Sequence, residues 1–431
     1  MNERTQKPSI IPNLPNLGAA DHPSALAALG RRLLLKQFAT LRDGELHIIE
    51  WDGTRHHFGA RTPRLDVSVT LYVDHPQLYA DAAFGGTVGA GEAYIRGLWR
   101  CDDLTGIVRL FVANRDLMNG MDSRWALISR PLLKAFHFLN RNSKAGSARN
   151  IAAHYDLGNA LYELMLDPTM AYSCGIFERE DATLEQASIA KFEAICRKLR
   201  LSSNDRVVEI GTGWGGLAIH AAAHYGCHVT TTTISGEQHD YAKEKIAQAG
   251  LTDRITLLLE DYRDLRGQYD KAISIEMIEA VGADYLDTYL AKCSSLLAPH
   301  GAMLLQAITI QDQFYEQALK SVDYIQRFIF PGSFIPSIEA ISRSLTRATD
   351  LKIFNLEDIG PHYARTLREW RRNVFDNLAK VRALGYPDSF VRLWEYYLCY
   401  CEGGFAERQL GDVQLLLTKP DCRLPPVAYA R

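Results

Sequence analysis

Val207-Val208-Glu209-Ile210-Gly211-Thr212-Gly213-Trp214-Gly215-Gly216 decides the fold of this chain. A short buried strand runs directly into a glycine loop, and an alanine-rich helix begins where the loop ends. This is the ligand-cradling corner of a doubly wound α/β sheet, and it fixes where the active site must lie. Gly211, Gly213 and Gly216 satisfy the G-x-G-x-x-G pattern, which several nucleotide folds share. Trp214 discriminates among them. A dinucleotide fold brings pyrophosphate onto the helix N-terminus through a loop kept free of bulk. An indole fits a pyrophosphate poorly there and suits a ligand without phosphates, such as S-adenosylmethionine (SAM). Glu209 adds a carboxylate suited to the cationic amino acid part of SAM.

The following strand supports the same choice. Cys227–Ser235 reads Cys-His-Val-Thr-Thr-Thr-Thr-Ile-Ser, β-branched and apolar enough for an inner parallel strand. A dinucleotide fold ordinarily closes this strand with Asp or Glu for the ribose hydroxyls, about twenty residues past the glycines. Thr233, Ile234 and Ser235 stand there instead, followed by Gln238. Hydroxyls and an amide can hydrogen-bond a ribose, but they are not the nicotinamide-cofactor signature.

At 431 residues the chain holds one large or two ordinary domains and can bury a substantial core. Hydrophobic residues at 47% and charged residues at 23% are the proportions of a soluble globular protein, and a net charge of −3 gives no global drive toward nucleic acid. No stretch approaches the roughly 20 apolar residues that span a bilayer, and the N-terminus has no apolar signal core. A cytoplasmic protein is expected. The eight cysteines are scattered and form no disulfide framework, and Cys399 and Cys401 are an isolated pair without a second pair to complete a metal site.

The chain divides into a proline-bearing tail over 1–25, a small α+β domain over 26–120, a basic linker over 121–149 and an α/β domain over 150–431. In the small domain, Leu26–Leu35 is helical in character, and Leu46–Trp51 with Asp52-Gly53 and Thr54–Phe58 is a hairpin signal. Leu65, Val67, Val69, Leu71 and Val73 alternate as a half-buried strand does, and helix is expected over most of Pro76–Phe111. His47, His56 and His57 could suggest a metal, but they are read on an exposed hairpin with no carboxylate or cysteine cluster, so no metal site is expected. In the large domain, strands are expected at Ile255–Leu259, Lys271–Ile275, Ala302–Ile308, Leu351–Leu356 and Val413–Thr418, with helices at Gln238–Ala249 and around Tyr285–Leu297. With the first two strands these make the seven of a class I SAM-dependent methyltransferase. The connections 309–350 and 357–410 are long and rich in Tyr, Phe, Trp and Arg, as functional covers are.

Four further segments narrow the reading. They are His154-Tyr155-Asp156-Leu157-Gly158-Asn159, Asp167-Pro168-Thr169-Met170-Ala171-Tyr172-Ser173-Cys174, Ser274-Ile275-Glu276-Met277-Ile278-Glu279-Ala280-Val281-Gly282 and Phe328-Ile329-Phe330-Pro331-Gly332. Together, from about residue 150 to the C-terminus, they resemble the cyclopropane-fatty-acyl-phospholipid synthase family, which includes the mycolic acid cyclopropane synthases. The small N-terminal domain is similar to the one that phospholipid-acting members carry. The resemblance implies methyl transfer from SAM to a cis double bond of an unsaturated phospholipid acyl chain, with a carbocation that loses a proton to close a cyclopropane ring. It implies a bound bicarbonate as the base, beside Cys174, Glu279, Gln306, Ile308 and Tyr363. It places the SAM contacts on Tyr172, Ser173, the loop from Glu209 through Gly211, Gly213, Trp214 and Gly215, the segment Thr233, Ile234, Ser235 and Gln238, and Tyr262 beside the adenine.

Gln306 departs from that pattern, because the family has histidine there. An imidazole can hydrogen-bond an anion and also take up a proton, whereas an amide can only hydrogen-bond. If the histidine only orients bicarbonate, the ring still closes; if it carries the proton away, the cation can end as a methylene or methyl-branched chain. A non-catalytic lipid-binding protein is the reading from another class. Arg124–Lys144, basic and aromatic, fits either a membrane-lying amphipathic helix or an interdomain helix, with Ser143–Ser147 as a hinge. The implied setting is the inner face of a membrane, with peripheral attachment, no nucleic acid and a possible homodimer.

Overall fold

The computed structural model describes residues 23–115 and 157–427. The basic stretch 124–144, the hinge, His154–Asp156 and nearly all of the expected N-terminal tail lie outside the described residues.

The N-terminal part folds around four strands: Gly44–Ile49 (β1), Arg55–Ala60 (β2), Ser68–Val73 (β3) and Trp99–Cys101 (β4). They lie in the order β2-β1-β3-β4, with β1 antiparallel to β2 and parallel to β3. The Asp52-Gly53 turn forms as its residues dictate: Gly53 takes φ 85°, and Asp52 Oδ1 accepts from Thr54 N at 2.8 Å. Val69, Leu71 and Val73 face the core from β3. β4 interrupts the span read as helical. The helix Gln77–Ile95 gives way at Gly97, whose φ of 75° turns the chain into a three-residue edge strand before the helix Leu104–Ala113.

The hairpin histidines do acquire carboxylates, contrary to the reading of the bare sequence. Folding brings Glu45 to 3.8 Å from His47 Nε2 and Glu50 to 2.7 Å from His56 Nε2. Glu45 also faces Arg61 at 3.5 Å, and Glu50 pairs with Arg31 at 2.7 Å, so both are engaged by cations of the chain.

The larger sheet contains Arg206–Ile210 (β5), His228–Thr233 (β6), Ile255–Leu259 (β7), Tyr269–Ile275 (β8), Leu297–Ile310 (β9), Lys352–Asp358 (β10) and Leu410–Thr418 (β11). Its order is β10-β11-β9-β8-β5-β6-β7, parallel from β9 to β7, with β11 antiparallel to both its neighbours. All seven expected strands are present. Strands covered on both faces read as continuous apolar runs, and Met303, Leu304 and Leu305 of β9 are fully buried accordingly. β5 has β6 on one side and β8 on the other, so strand order reverses beside it, and a ligand crevice opens at the carboxyl ends there.

The long connections form a helical cover. Gly360–Asp376 and Asp388–Ala406 pack on each other, burying Trp370 and Trp394. Asp388–Ala406 also packs against Leu104–Ala113 and Gln77–Ile95 of the N-terminal part. One apolar cluster runs across this junction through Trp99, Val108, Tyr324 and Tyr396. Polar ties flank it: Tyr94 OH donates to Glu395 at 2.7 Å, and Arg109 Nε to Glu407 at 2.7 Å. Glu402, 1% exposed, accepts from Arg368, Arg371 and Thr105. All eight cysteines are free, and no described helix is long and apolar enough to cross a membrane.

Gly403 sets how closely this cover approaches the N-terminal part. A Cβ there would lie 2.6 Å from Val108 Cγ1 and 3.3 Å from the Arg109 amide, and a β-branched valine cannot swing away. Gly403→Ala is expected to destabilise the protein by about 1–3 kcal/mol, the range for overpacking, read as a lower Tm in differential scanning calorimetry. An unchanged Tm would show that the junction yields.

Candidate active site

The glycine loop builds the first wall. Gly211, Gly213 and Gly215 take φ of 101°, 53° and 93°, a turn that residues with a Cβ make only at a cost. Gly216 opens the helix Gly216–Tyr225, and a Cβ on it would lie 2.5 Å from the Thr169 carbonyl, so residues 167–174 are laid directly across the loop. Trp214 is turned inward, 3% exposed, with its ring 4.8 Å from that of Tyr162 and Nε1 donating to Asn159 Oδ1 at 2.8 Å. That bond explains Asn159 at the end of its motif. Glu209 is buried at the end of β5 and accepts from Thr231 Oγ1 at 2.5 Å; burial pushes its carboxyl up to about 8.

A single cavity of about 450 Å³ opens from this wall. Of the residues expected to hold SAM, Tyr172, Ser173, Glu209, Gly211, Gly213, Trp214, Thr233, Ile234, Gln238 and Tyr262 line it. Gly215 and Ser235 do not. Gly215 lets the loop pass Ala242, which a Cβ would meet at 3.2 Å, and Ser235 caps the helix Gly236–Gln248 by accepting from Gln238 N. Of the residues expected at the reacting centre, Glu279, Ile308 and Tyr363 line the cavity. Cys174 and Gln306 are fully buried behind it and bond to Glu276, a cavity residue that the site reading had not included.

Glu276 follows β8 with a left-handed φ of 47°, a conformation that costs a residue with a Cβ about 1–2 kcal/mol. Its Oε1 accepts from Cys174 N at 2.9 Å and Gln306 Nε2 at 2.8 Å, and its Oε2 accepts from Tyr363 OH at 2.5 Å. Gln306 Nε2 also donates to Asp412 Oδ2 at 2.9 Å, while its Oε1 accepts from Gln414 at 3.0 Å. Glu279 Oε1 accepts from Ile308 N at 2.6 Å, and its buried Oε2 has no partner among the described residues. Lys191, 1% exposed, also lines the cavity and donates to Ser173 Oγ at 2.5 Å.

Burial dominates the protonation of this cluster. It raises Glu276 and Asp412 and pushes Glu279 up to about 8, and it lowers Lys191. Three carboxylates cannot all ionise side by side. Glu276 collects the phenol, the amide, the backbone N–H and the field of Lys191, so the negative charge rests there. Asp412, next to Glu276 and Glu279, holds its proton. Burial also keeps Cys174 a neutral thiol that donates to Gly175 and Ile359 carbonyls, which leaves its backbone N–H as its contribution to the site.

These residues fit SAM: the loop offers backbone and hydroxyls without a phosphate cradle, and a buried carboxyl stands beside it. They do not fit bicarbonate. Cys174 N, Gln306 Nε2 and Tyr363 OH are spent on Glu276, and Ile308 N on Glu279, so an added anion would meet three carboxyl groups and no free donor among them. The rest of the cavity is mostly apolar, with Leu319, Ile325, Phe330 and Leu410 joined by Val108 and Val112 from the N-terminal part, and polar side chains such as Asp323, Gln326 and Gln409 among them.

Glu276, Lys191 and Asp412 are the site residues that sequence reasoning missed. A signal existed for the first, since Ser274–Gly282 carries two glutamates just past a strand's carboxyl end. None existed for Lys191 or Asp412, which read as an ordinary helix residue and a strand-end residue.

A seven-stranded sheet with this glycine loop at its reversal point is the fold of the class I SAM-dependent methyltransferases. The chain belongs to the mycolic acid cyclopropane synthetase family, whose family model matches residues 142–415. It is 35% identical over 405 residues to "Tuberculostearic acid methyltransferase UfaA1" of Mycobacterium tuberculosis, covering 92% of each chain. It is 35% identical over 350 residues to the cyclopropane-fatty-acyl-phospholipid synthase of Escherichia coli, covering 80% of this chain and 86% of that one. Mycolic acid cyclopropane synthase CmaA1 complexed with SAH and CTAB superposes with a TM-score of 0.59 at 29% identity, covering 63% of this chain and 98% of that one. The protein is therefore an enzyme of this kind, a SAM-dependent transferase of a family acting on lipids.

The raised Glu279 has a consequence for stability. Its carboxyl titrates near 8 in the folded chain and near the ordinary glutamate value when unfolded. Between those values the folded state holds a proton that the unfolded state has lost, so stability falls as pH rises through this window. Glu279→Gln, neutral throughout, is expected to show a Tm that gains on the wild type from pH 5 to pH 8. A constant difference would mean that Glu279 is ionised in the fold.

Proposed function

We propose that this protein transfers the methyl group of SAM to a cis double bond in an unsaturated phospholipid acyl chain, and that the resulting cation loses a proton to leave a methylene-branched chain or a methyl-branched chain that keeps a double bond. The observation that carries this reading is that one cavity is lined by the glycine loop, by Glu276 and Glu279 and by a mostly apolar set of side chains that includes Leu319, Ile325, Phe330 and Leu410. SAM supplies an electrophilic methyl group. An alkene is a feeble nucleophile, so the site must align it and exclude water that would trap a cation. Tyr172, Ser173, Glu209, the glycine loop, Thr233, Ile234, Gln238 and Tyr262 hold the cofactor. Tyr363, Tyr397 and Phe405 supply aromatic faces that favour positive charge, and Glu279 ionises more readily as a cation develops beside it. The basic, aromatic-bearing stretch 124–144 supports attachment to a membrane surface.

Gln306 is the reason for placing the branched chain first. Its amide is committed to Glu276, Asp412 and Gln414 and cannot take up a proton. The relative that matches 92% of this chain is named a methyltransferase. Ring closure to a cyclopropane is the second reading, favoured by the Escherichia coli relative. Fatty acid methyl esters from an expressing host are expected to gain one CH2, to carry a methylene or methyl branch and, keeping a double bond, still to take up hydrogen under mild hydrogenation. Products that resist hydrogenation and co-elute with cyclopropane standards would establish ring closure, and no change in the lipids would overturn both.

Glu209 makes cofactor binding depend on pH. Its carboxyl must ionise against the ammonium of SAM, so binding at pH 6.5 is expected to release up to one proton, and affinity to strengthen from pH 5.5 to 7.5. Calorimetry in buffers of different ionisation enthalpy reads this directly. Equal enthalpies in all buffers would remove Glu209 from the ammonium site.

A further inference from the structure

We infer that the Glu276 carboxylate stands where this family's resemblance places bicarbonate, and that it is the base that takes the proton from the cation. The inference rests on the alkene-methylation reading above and deepens it. Bicarbonate was expected beside Cys174, Glu279, Gln306, Ile308 and Tyr363. Three of those residues instead donate to one side chain, with Cys174 N at 2.9 Å, Gln306 Nε2 at 2.8 Å and Tyr363 OH at 2.5 Å from its two oxygens. The fourth donor, Ile308 N, serves Glu279. A carboxylate and a bicarbonate present the same pair of oxygens, so the chain supplies the anion from one of its own side chains.

The backbone agrees. Glu276 holds φ 47°, where glycine is the residue of least cost, and its side chain lines the cavity. A strained backbone that aims a charged group into a cavity is a mark of function. Among the described residues, Lys191, Asp412, Glu279, Tyr363, Tyr397 and Cys174 are titratable groups that interact with it, and Lys191 is the cation of this set.

The step balances without a further reactant. After methyl transfer, the S–CH3 bond is broken, a C–C bond is made and the neighbouring carbon is cationic. A C–H bond of the added methyl group then breaks, its electron pair closing the third ring bond or, after a 1,2-hydride shift, an exocyclic C=C bond. The proton goes to the Glu276 carboxylate and leaves to solvent when the product departs. A carbocation is so strong an acid that a hydrogen-bonded carboxylate suffices.

The test uses the full chain with unsaturated phospholipid vesicles and SAM, in buffer freed of carbon dioxide and with bicarbonate restored. Wild-type turnover is expected to be the same in both. Glu276→Gln is expected to lose at least about 10²-fold in turnover, as removal of a general base does, with SAM affinity unchanged by calorimetry. Glu276→Gly relaxes the backbone and vacates the anion place, and bicarbonate is expected to restore part of its turnover. Line broadening of 13C-bicarbonate gives a readout that needs no catalysis, with no binding to wild type and binding to Glu276→Gly. Bicarbonate-dependent wild-type turnover, 13C-bicarbonate bound by wild type, or undiminished product from Glu276→Gln would overturn the inference. If wild type methylates no lipid but the bicarbonate binding pattern holds, the substrate reading fails while the assignment of the anion place stands.

Discussion

The structure turns on how three carboxyl groups share one dry pocket. In a low dielectric, neighbouring carboxylates repel strongly enough that one charge at most is tolerated without cations. The Gln306 amide resolves the conflict by giving one N–H to Glu276 and the other to Asp412, holding two acids at a fixed distance. A single imidazole N–H could not serve both. Gln414 then fixes the orientation of the amide by donating to its oxygen. What reads in sequence as the loss of a histidine is in the fold the keystone of a different acid network.

That network draws on nearly every layer of the protein. Glu276 and Glu279 come from the end of β8, Gln306 and Ile308 from β9, Asp412 and Gln414 from β11, Tyr363 from the helix Gly360–Asp376 and Cys174 from the segment over the glycine loop. The antiparallel pairing of β11 with β9 sets Gln306 directly opposite Gln414, so the register of the sheet fixes the chemistry. The cover helices in turn rest on the N-terminal part, whose Val108 and Val112 reach the cavity wall. A disturbance at the junction near Gly403 is therefore a disturbance of the site.

The fold was legible because parallel strands buried on both faces leave a strong apolar signature, and the glycine loop has few alternatives. β4 was not legible: three residues between two helices carry no period. The candidate site was legible where motif and cavity coincide, at Trp214, Thr233 or Tyr363. It was illegible where function depends on pairing across distant segments. Asp412 lies 106 residues from Gln306, and no local pattern ties them. Glu276 was visible as a residue and invisible as a base, because only its left-handed backbone and its donors distinguish it from a solvated glutamate.

Under the proposed reaction one positive charge passes from sulfur to carbon to oxygen, and the pocket follows it. Before the cofactor arrives, burial keeps Glu209 and Glu279 protonated, which spares the fold two buried charges. A cation in the cavity reverses that balance, so the site becomes anionic only when it holds something positive. Aromatic walls attend the middle of the path, where a carboxylate in contact would capture the carbocation as an ester. Glu276 is restrained from that collapse by three hydrogen bonds and its own backbone, which leave it able to accept a proton but not to move onto carbon. The rigidity that costs this residue a left-handed conformation is thus what separates a base from a nucleophile.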